Sequence, residues 1–215
     1  MKLFDLPKST EFGRVIPKNA FDEYTNTRQK KLIADTIQRI TWTNKLSTET
    51  TNLKSESVKE IQIFLIELRQ KNELKKILDI FDKSIPYHIV FALIFDNEVL
   101  ISTSAKHDHI TKANESVLDC TFKSNWINLN NFKYKIALKE SLDHTFISLC
   151  NQISKRNKEY KSYEFFVIAE INIKSLESQI TKIENQIKRE KQFNKKVNLN
   201  MELSNLRKKL SNEIR

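Results

Sequence analysis

One glycine and three prolines in 215 residues is the feature that most restricts this chain. Phosphate-cradling loops of the P-loop and dinucleotide-binding kinds each need several glycines at set spacing, so both are excluded. Tight hairpins built on Asn-Gly are excluded for the same reason. Long helices joined by polar connections are the natural alternative. Pro7, Gly13 and Pro17 all fall within residues 1–27. That stretch therefore reads as an irregular arm, packed onto the body by Leu3, Phe4, Leu6, Phe12, Val15, Ile16 and Phe21.

The remainder can still bury a core: 39% of residues are hydrophobic and 13 are Phe. Residues 28–41 read as a helix, with Leu32, Ile33, Ile37 and Ile40 on one face. Residues 60–69, 88–95, 98–105 and 117–127 read as strands, and residues 72–84 and 138–157 as helices. Asp96-Asn97 can turn a hairpin without glycine, because Asp and Asn tolerate left-handed backbone. This order predicts an α+β fold: a small antiparallel or mixed sheet with helices packed over one face, spanning residues 1–160.

From residue 161 to 215 the pattern becomes helical throughout. Ile173, Leu176, Ile180, Ile183 and Ile187 recur at spacings of 3 and 4, as in a coiled-coil seam. Leu199, Leu203, Leu206, Leu210 and Ile214 form a second such set. At about 100° per residue the two sets point to nearly opposite sides of one continuous helix. The helix must bend, break or change partners within 190–199. These seams are the expected partner-binding surface, either for a homo-oligomer or for another protein.

That joint is also where charge concentrates. The chain carries a net +10, and residues 182–215 hold ten Lys/Arg against four Glu. Lys188, Arg189, Lys191, Lys195 and Lys196 cluster at the joint, and the N-terminal arm adds Lys8, Arg14 and Lys18. Cations spaced along a helix can track a phosphate backbone, so these eight are the candidate nucleic-acid contacts, with DNA the expected ligand. The bland reading is a solvated face that keeps a helix bundle soluble, and a purely structural coiled-coil dimer remains an alternative.

Catalytic chemistry is harder to find. His107-Asp108-His109, with His88 and His144, lacks a carboxylate or thiol cluster at ligand spacing, so no metal and no cofactor are expected. Glu67, Asp96 and Glu98 near Lys106 would suit a diverged metal-dependent nuclease if they met in one cleft. Cys120 and Cys150 read as buried thiols. Trp42 and Trp126 could stack on bases but read as core edges. No apolar run approaches the ~18 residues of a membrane span, so no membrane partner is expected, and a reducing cytoplasm is the expected compartment.

FDLPKSTEFGRVIPKNAF (4–21), ITWTNKLSTETTNL (40–53), EIQIFLIEL (60–68), FDKSIPYHIVFALIF (81–95), SNWI (124–127) and KREKQFNKKVNLNMELSNLRKKL (188–210) resemble, in that order, a bacterial family, domain of unknown function 4391. The family brings no established reaction. The resemblance implies a context: members tend to lie beside DNA helicases and DNA methyltransferases in restriction-like or phage-defence loci. The expectation is therefore a non-catalytic accessory subunit, with helicase or methyltransferase subunits as partners.

Overall fold

The computed structural model describes residues 2–109, 116–156 and 158–214. The chain divides into two compact units, Met1–Lys155 and Arg156–Arg215.

The first unit is built on a mixed sheet. Its elements run β1 (Glu11–Ile16), α1 (Thr27–Thr36), β2 (Ile37–Leu46), α2 (Thr48–Thr51), β3 (Ile61–Leu68), α3 (Leu74–Ser84), β4 (His88–Phe95), β5 (Glu98–Asp108), β6 (Ser116–Lys123), β7 (Ile127–Asn128) and α4 (Leu142–Ser154). Among the described residues the sheet has seven strands, in the order β1-β2-β3-β4-β5-β6 with β7 pairing β5. Only β3 and β4 are parallel, joined by the crossover helix α3; the other pairs are antiparallel. The mixed sheet with packed helices agrees with the expectation, but the sheet is not small.

The added strands have physical explanations. Residues 37–41, expected to continue a helix, begin β2 instead. Between Ile37 and Arg39 the pairing with β3 slips by one residue, from Leu68 to Glu67, a β-bulge. The bulge lets Ile37 and Ile40 face the same core, so a strand copies helical spacing. Helix α1 itself is fixed upstream by a capping box. Asn26 Oδ1 accepts from Gln29 N at 2.9 Å and Gln29 Oε1 from Asn26 N at 2.8 Å. In the arm, Gly13 takes φ +65° at the bulge between Glu11 and Arg14, so the glycine bends an edge strand rather than preventing one. At the β4–β5 joint Asp96 takes φ +51°, as the turn chemistry predicted.

Helices cover both faces of the sheet, not one. Phe64, Ile66, Ile89, Phe91 and Leu93 pack with Ile33 of α1 and Ile77, Leu78 and Phe81 of α3. Phe21 stacks on Phe81 with ring centroids 3.9 Å apart. Strand alternation turns His88 away from Ile89, and His88 meets Phe146 of α4 at 4.6 Å. The opposite face also receives the arm, where Leu3, Phe4 and Leu6 line a cavity of about 170 Å³ with Ile63, Leu65 and Ala92. Asp143, in the first turn of α4, anchors the loop before β3: its carboxylate accepts from Glu56 N, Ser57 N and Val58 N at 3.1, 2.9 and 3.2 Å.

The second unit is two helices, α5 (Tyr163–Arg189) and α6 (Phe193–Ile214). The chain therefore breaks at residues 190–192, inside the interval where the apolar face changes sides.

Candidate nucleic-acid interface

The break has a simple cause. One continuous helix would leave one of its two apolar seams in water. Folding back lets each seam cover the other. Ile180 and Ile183 of α5 pack with Leu203 and Leu206 of α6, flanked by Leu176, Ile187, Leu199 and Leu210. Ile173, also buried, continues the seam toward the start of α5. A three-residue connection makes the helices antiparallel neighbours. Arg207 reaches across to Glu184 at 2.8 Å. Eight of the ten seam residues expected to hold a partner thus pack against one another on the inner faces of the hairpin, while Ile214 is exposed.

Glu190 makes the turn. It is extended (φ −73°, ψ 133°), and its Oε1 accepts from both Lys191 N and Gln192 N at 2.8 Å. Those bonds, foremost from Gln192, with help from Lys195 and Lys196, hold its carboxyl below the usual range. It stays ionised as the single anion among the tip's five cations.

The turn gathers cations that a straight helix would spread. Lys188 and Arg189 end α5, Lys191 lies in the connection, and Lys195 and Lys196 fall in the first turn of α6. All five are exposed, and no ion pair joins them to other described residues. Arg189 and Lys195, from different helices, line one recess of about 510 Å³ with Gln186, Glu190, Asn198 and Leu199. A recess with a cation on each wall and amides between them suits an oxyanion. Lys195 and Lys196 oppose the dipole of α6, at about 0.3–1 kcal/mol each; a bound anion would relieve that.

The arm's cations do not gather in this way. Lys8 is exposed in a 3-10 turn. Lys18 is half-buried and turned onto Ala34 O, 3.5 Å away, where Arg69 also donates at 3.2 Å. Burial and Arg69 draw its pKa down. Arg14 sits on the exposed edge strand opposite Trp42.

The carboxylates considered for a nuclease do not meet Lys106. Glu98 and Lys106 stand at opposite ends of β5, roughly 26 Å apart by strand rise. Glu98 pairs with Lys71, whose ammonium lies 4.3 Å from the ring centre of Trp126. Lys106 donates to Asp82 Oδ1 at 2.9 Å, and to Asp82 O and Ile85 O at 2.7 Å each. His107 meets Asp119 at 3.0 Å and His144 meets Glu140 at 3.4 Å. Among the described residues no three His, Cys, Asp or Glu side chains are placed to hold a metal ion. Cys120 and Cys150 are buried. Trp42 lies within β2, against Phe12 with ring centroids 4.0 Å apart.

One surface feature escaped the sequence reading. Phe193, Val197 and Met201 project outward from α6, at 77%, 41% and 63% exposure. Their spacing of four places them along one side of the helix, away from the leucine seam, and that spacing was the available signal.

No described helix is long and apolar enough to cross a membrane. The family model of "Domain of unknown function (DUF4391)" matches residues 4–210. No curated protein and no solved structure matches the chain.

Proposed function

The chain belongs to the DUF4391 family, and from that premise and the charge of the hairpin tip we propose a non-catalytic accessory subunit that contacts DNA. The system it would serve is a bacterial defence or restriction-like one with helicase and methyltransferase subunits, a context that rests on the family resemblance alone. The observation that carries DNA contact is the recess at the tip, where Arg189 and Lys195 arrive from two different helices. A turn that brings cations together from two helices, against the dipole of one, fits an anionic partner better than a merely solvated face. Phosphate contacts of this kind supply affinity through counterion release and carry no base specificity.

The test is binding of labelled duplex DNA across a salt series. The comparison is a variant with Lys188, Arg189, Lys191, Lys195 and Lys196 all changed to Gln. Log affinity should fall linearly with log salt, at about −0.9 per neutralised phosphate, and the slope should flatten in the variant. No binding at low salt, or identical binding by both proteins, would sink the proposal.

A second reading has its own observation. The outward stripe of Phe193, Val197 and Met201 on α6 is free to pack against another copy or a partner subunit. It replaces the inner seams as the proposed assembly surface. Sedimentation of the full chain and of a Phe193→Ser/Met201→Ser variant tests it. A wild-type dimer that the variant loses supports assembly through α6; a monomer in both leaves the stripe without a role in self-association.

A further inference from the structure

The sheet unit contains a cleft that the hairpin reading does not use. It is about 520 Å³ and opens between the segment after β1 and the start of β4. That volume lies within the range of small-molecule sites. Aromatic rings from separate elements wall it: Tyr24 before α1, Trp42 on β2 and Tyr87 just before β4. Tyr24 and Tyr87 are 40% and 41% exposed, so ring surface is open to the cleft. Trp42 is already held, with its indole N–H donating to Asn44 O at 2.9 Å.

The floor is polar and fixed. Gln62, only 5% exposed, lines the cleft. Its Nε2 donates to Glu60 Oε1 at 2.7 Å, while Glu60 Oε2 pairs with Lys45 Nζ at 3.1 Å. This Lys45–Glu60–Gln62 chain locks the carboxamide. The Gln62 carbonyl oxygen takes no hydrogen bond from any described residue, and one amide hydrogen is left over. An acceptor and a donor side by side on a carboxamide held in place match the edge of a nucleobase. At the rim, Arg14 brings a permanent cation.

Stacking rings, a fixed donor–acceptor pair and a rim cation together describe one ligand chemistry. We propose that this cleft binds a nucleotide unit, with its base between Tyr24 and Tyr87 against Gln62 and its phosphate at Arg14. The unit is either a free nucleoside monophosphate or a nucleotide of a single strand. The site lies within Met1–Lys155 and involves none of the hairpin cations, so it stands or falls apart from duplex contact at the tip.

The test is calorimetric titration of the full chain. The probes are AMP, GMP, CMP and UMP, the corresponding nucleosides, and single-stranded tetranucleotides. At least one monophosphate or tetranucleotide should bind more tightly than ~1 mM. Arg14→Gln should weaken that ligand about tenfold while leaving the nucleoside unchanged, because only the phosphate loses its partner. Tyr87→Ala should weaken phosphorylated and unphosphorylated forms alike. Both positions are exposed, so both variants are expected to fold, and Gln62→Met should alter the ranking of bases. Tighter binding of the monophosphate identifies a free nucleotide as the ligand; tighter binding of the tetranucleotide identifies a strand. Absence of binding by every probe, or binding that neither Arg14→Gln nor Tyr87→Ala changes, overturns the proposal. Loss of duplex binding in the five-cation variant, with these results negative, would leave the tip reading standing and this one refuted.

Discussion

The ammonium of Lys106 lies 2.9 Å from a carboxylate oxygen of Asp82, with side chains 1% and 3% exposed. The pair links β5 to the end of α3, and two backbone carbonyls, of Asp82 and Ile85, complete the ammonium's shell. Burial disfavours both charges, drawing the lysine down and the aspartate up from their ordinary ranges. Each charge persists because the other offsets it. Asp82→Ala should therefore cost about 3–5 kcal/mol, since it leaves a buried ammonium without its counter-charge. The double variant Asp82→Leu/Lys106→Met should recover most of that. Urea unfolding of the three proteins checks it, and a double variant no better than Asp82→Ala would refute the pair's role.

His88 gives the fold a pH dependence. Burial, with Lys106 as the secondary cause, pushes its pKa from 6.5 down to about 3. Between those values the unfolded chain binds the proton and the folded chain does not. Stability is therefore complete above pH 6.5 and is lost as pH falls toward 3, by on the order of 4–5 kcal/mol over the whole window. Urea midpoints at intervals from pH 7 to 4 should fall more steeply for the wild type than for His88→Gln. Parallel curves would show that His88 does not titrate in this way.

The hairpin's seam predicts where its stability resides. Leu203 is 8% exposed and packs between the helices. Leu203→Ala should cost about 2–5 kcal/mol, the usual range for a buried leucine. Amide exchange should accelerate across residues 163–214 and stay unchanged in the sheet. Uniform acceleration over the whole chain would show that the two units unfold as one.

Glu190 offers a complementary test of the tip. Glu190→Gln keeps an acceptor for the Lys191 and Gln192 amides but removes the only anion among the five cations. Duplex affinity at low salt should rise a few-fold, and the gain should fade as salt screens it. Unchanged affinity would argue that DNA does not approach the tip.

Much of the sheet was legible. Strands β3, β4 and the first part of β5 are apolar runs whose neighbours cover both faces, and the segments 60–69, 88–95 and 98–105 anticipate them closely. Strand β2 was not legible, because a bulge gives Ile37 and Ile40 the same facing that a helix would. Strand β1 hid behind Gly13, which reads as a breaker and works as a bulge. The cleft left no local trace at all. Tyr24, Gln62 and Tyr87 stand far apart in the chain and acquire a common purpose only when β3 and β4 pair.

The sequence by itself determined the classes of element and the charge. Scarce glycine ruled out phosphate loops, and two offset leucine and isoleucine seams required the terminal helix to change partners. The tertiary structure decided what met what. It folded the tail into a hairpin, because each seam was the nearest apolar surface able to cover the other. It placed Arg189 and Lys195 around one recess, and it paired Lys106 with Asp82 rather than with a catalytic carboxylate. Periodicity along a chain specifies which face of an element avoids water. Which other face covers it depends on contacts between residues distant in sequence, and only the folded chain brings those together.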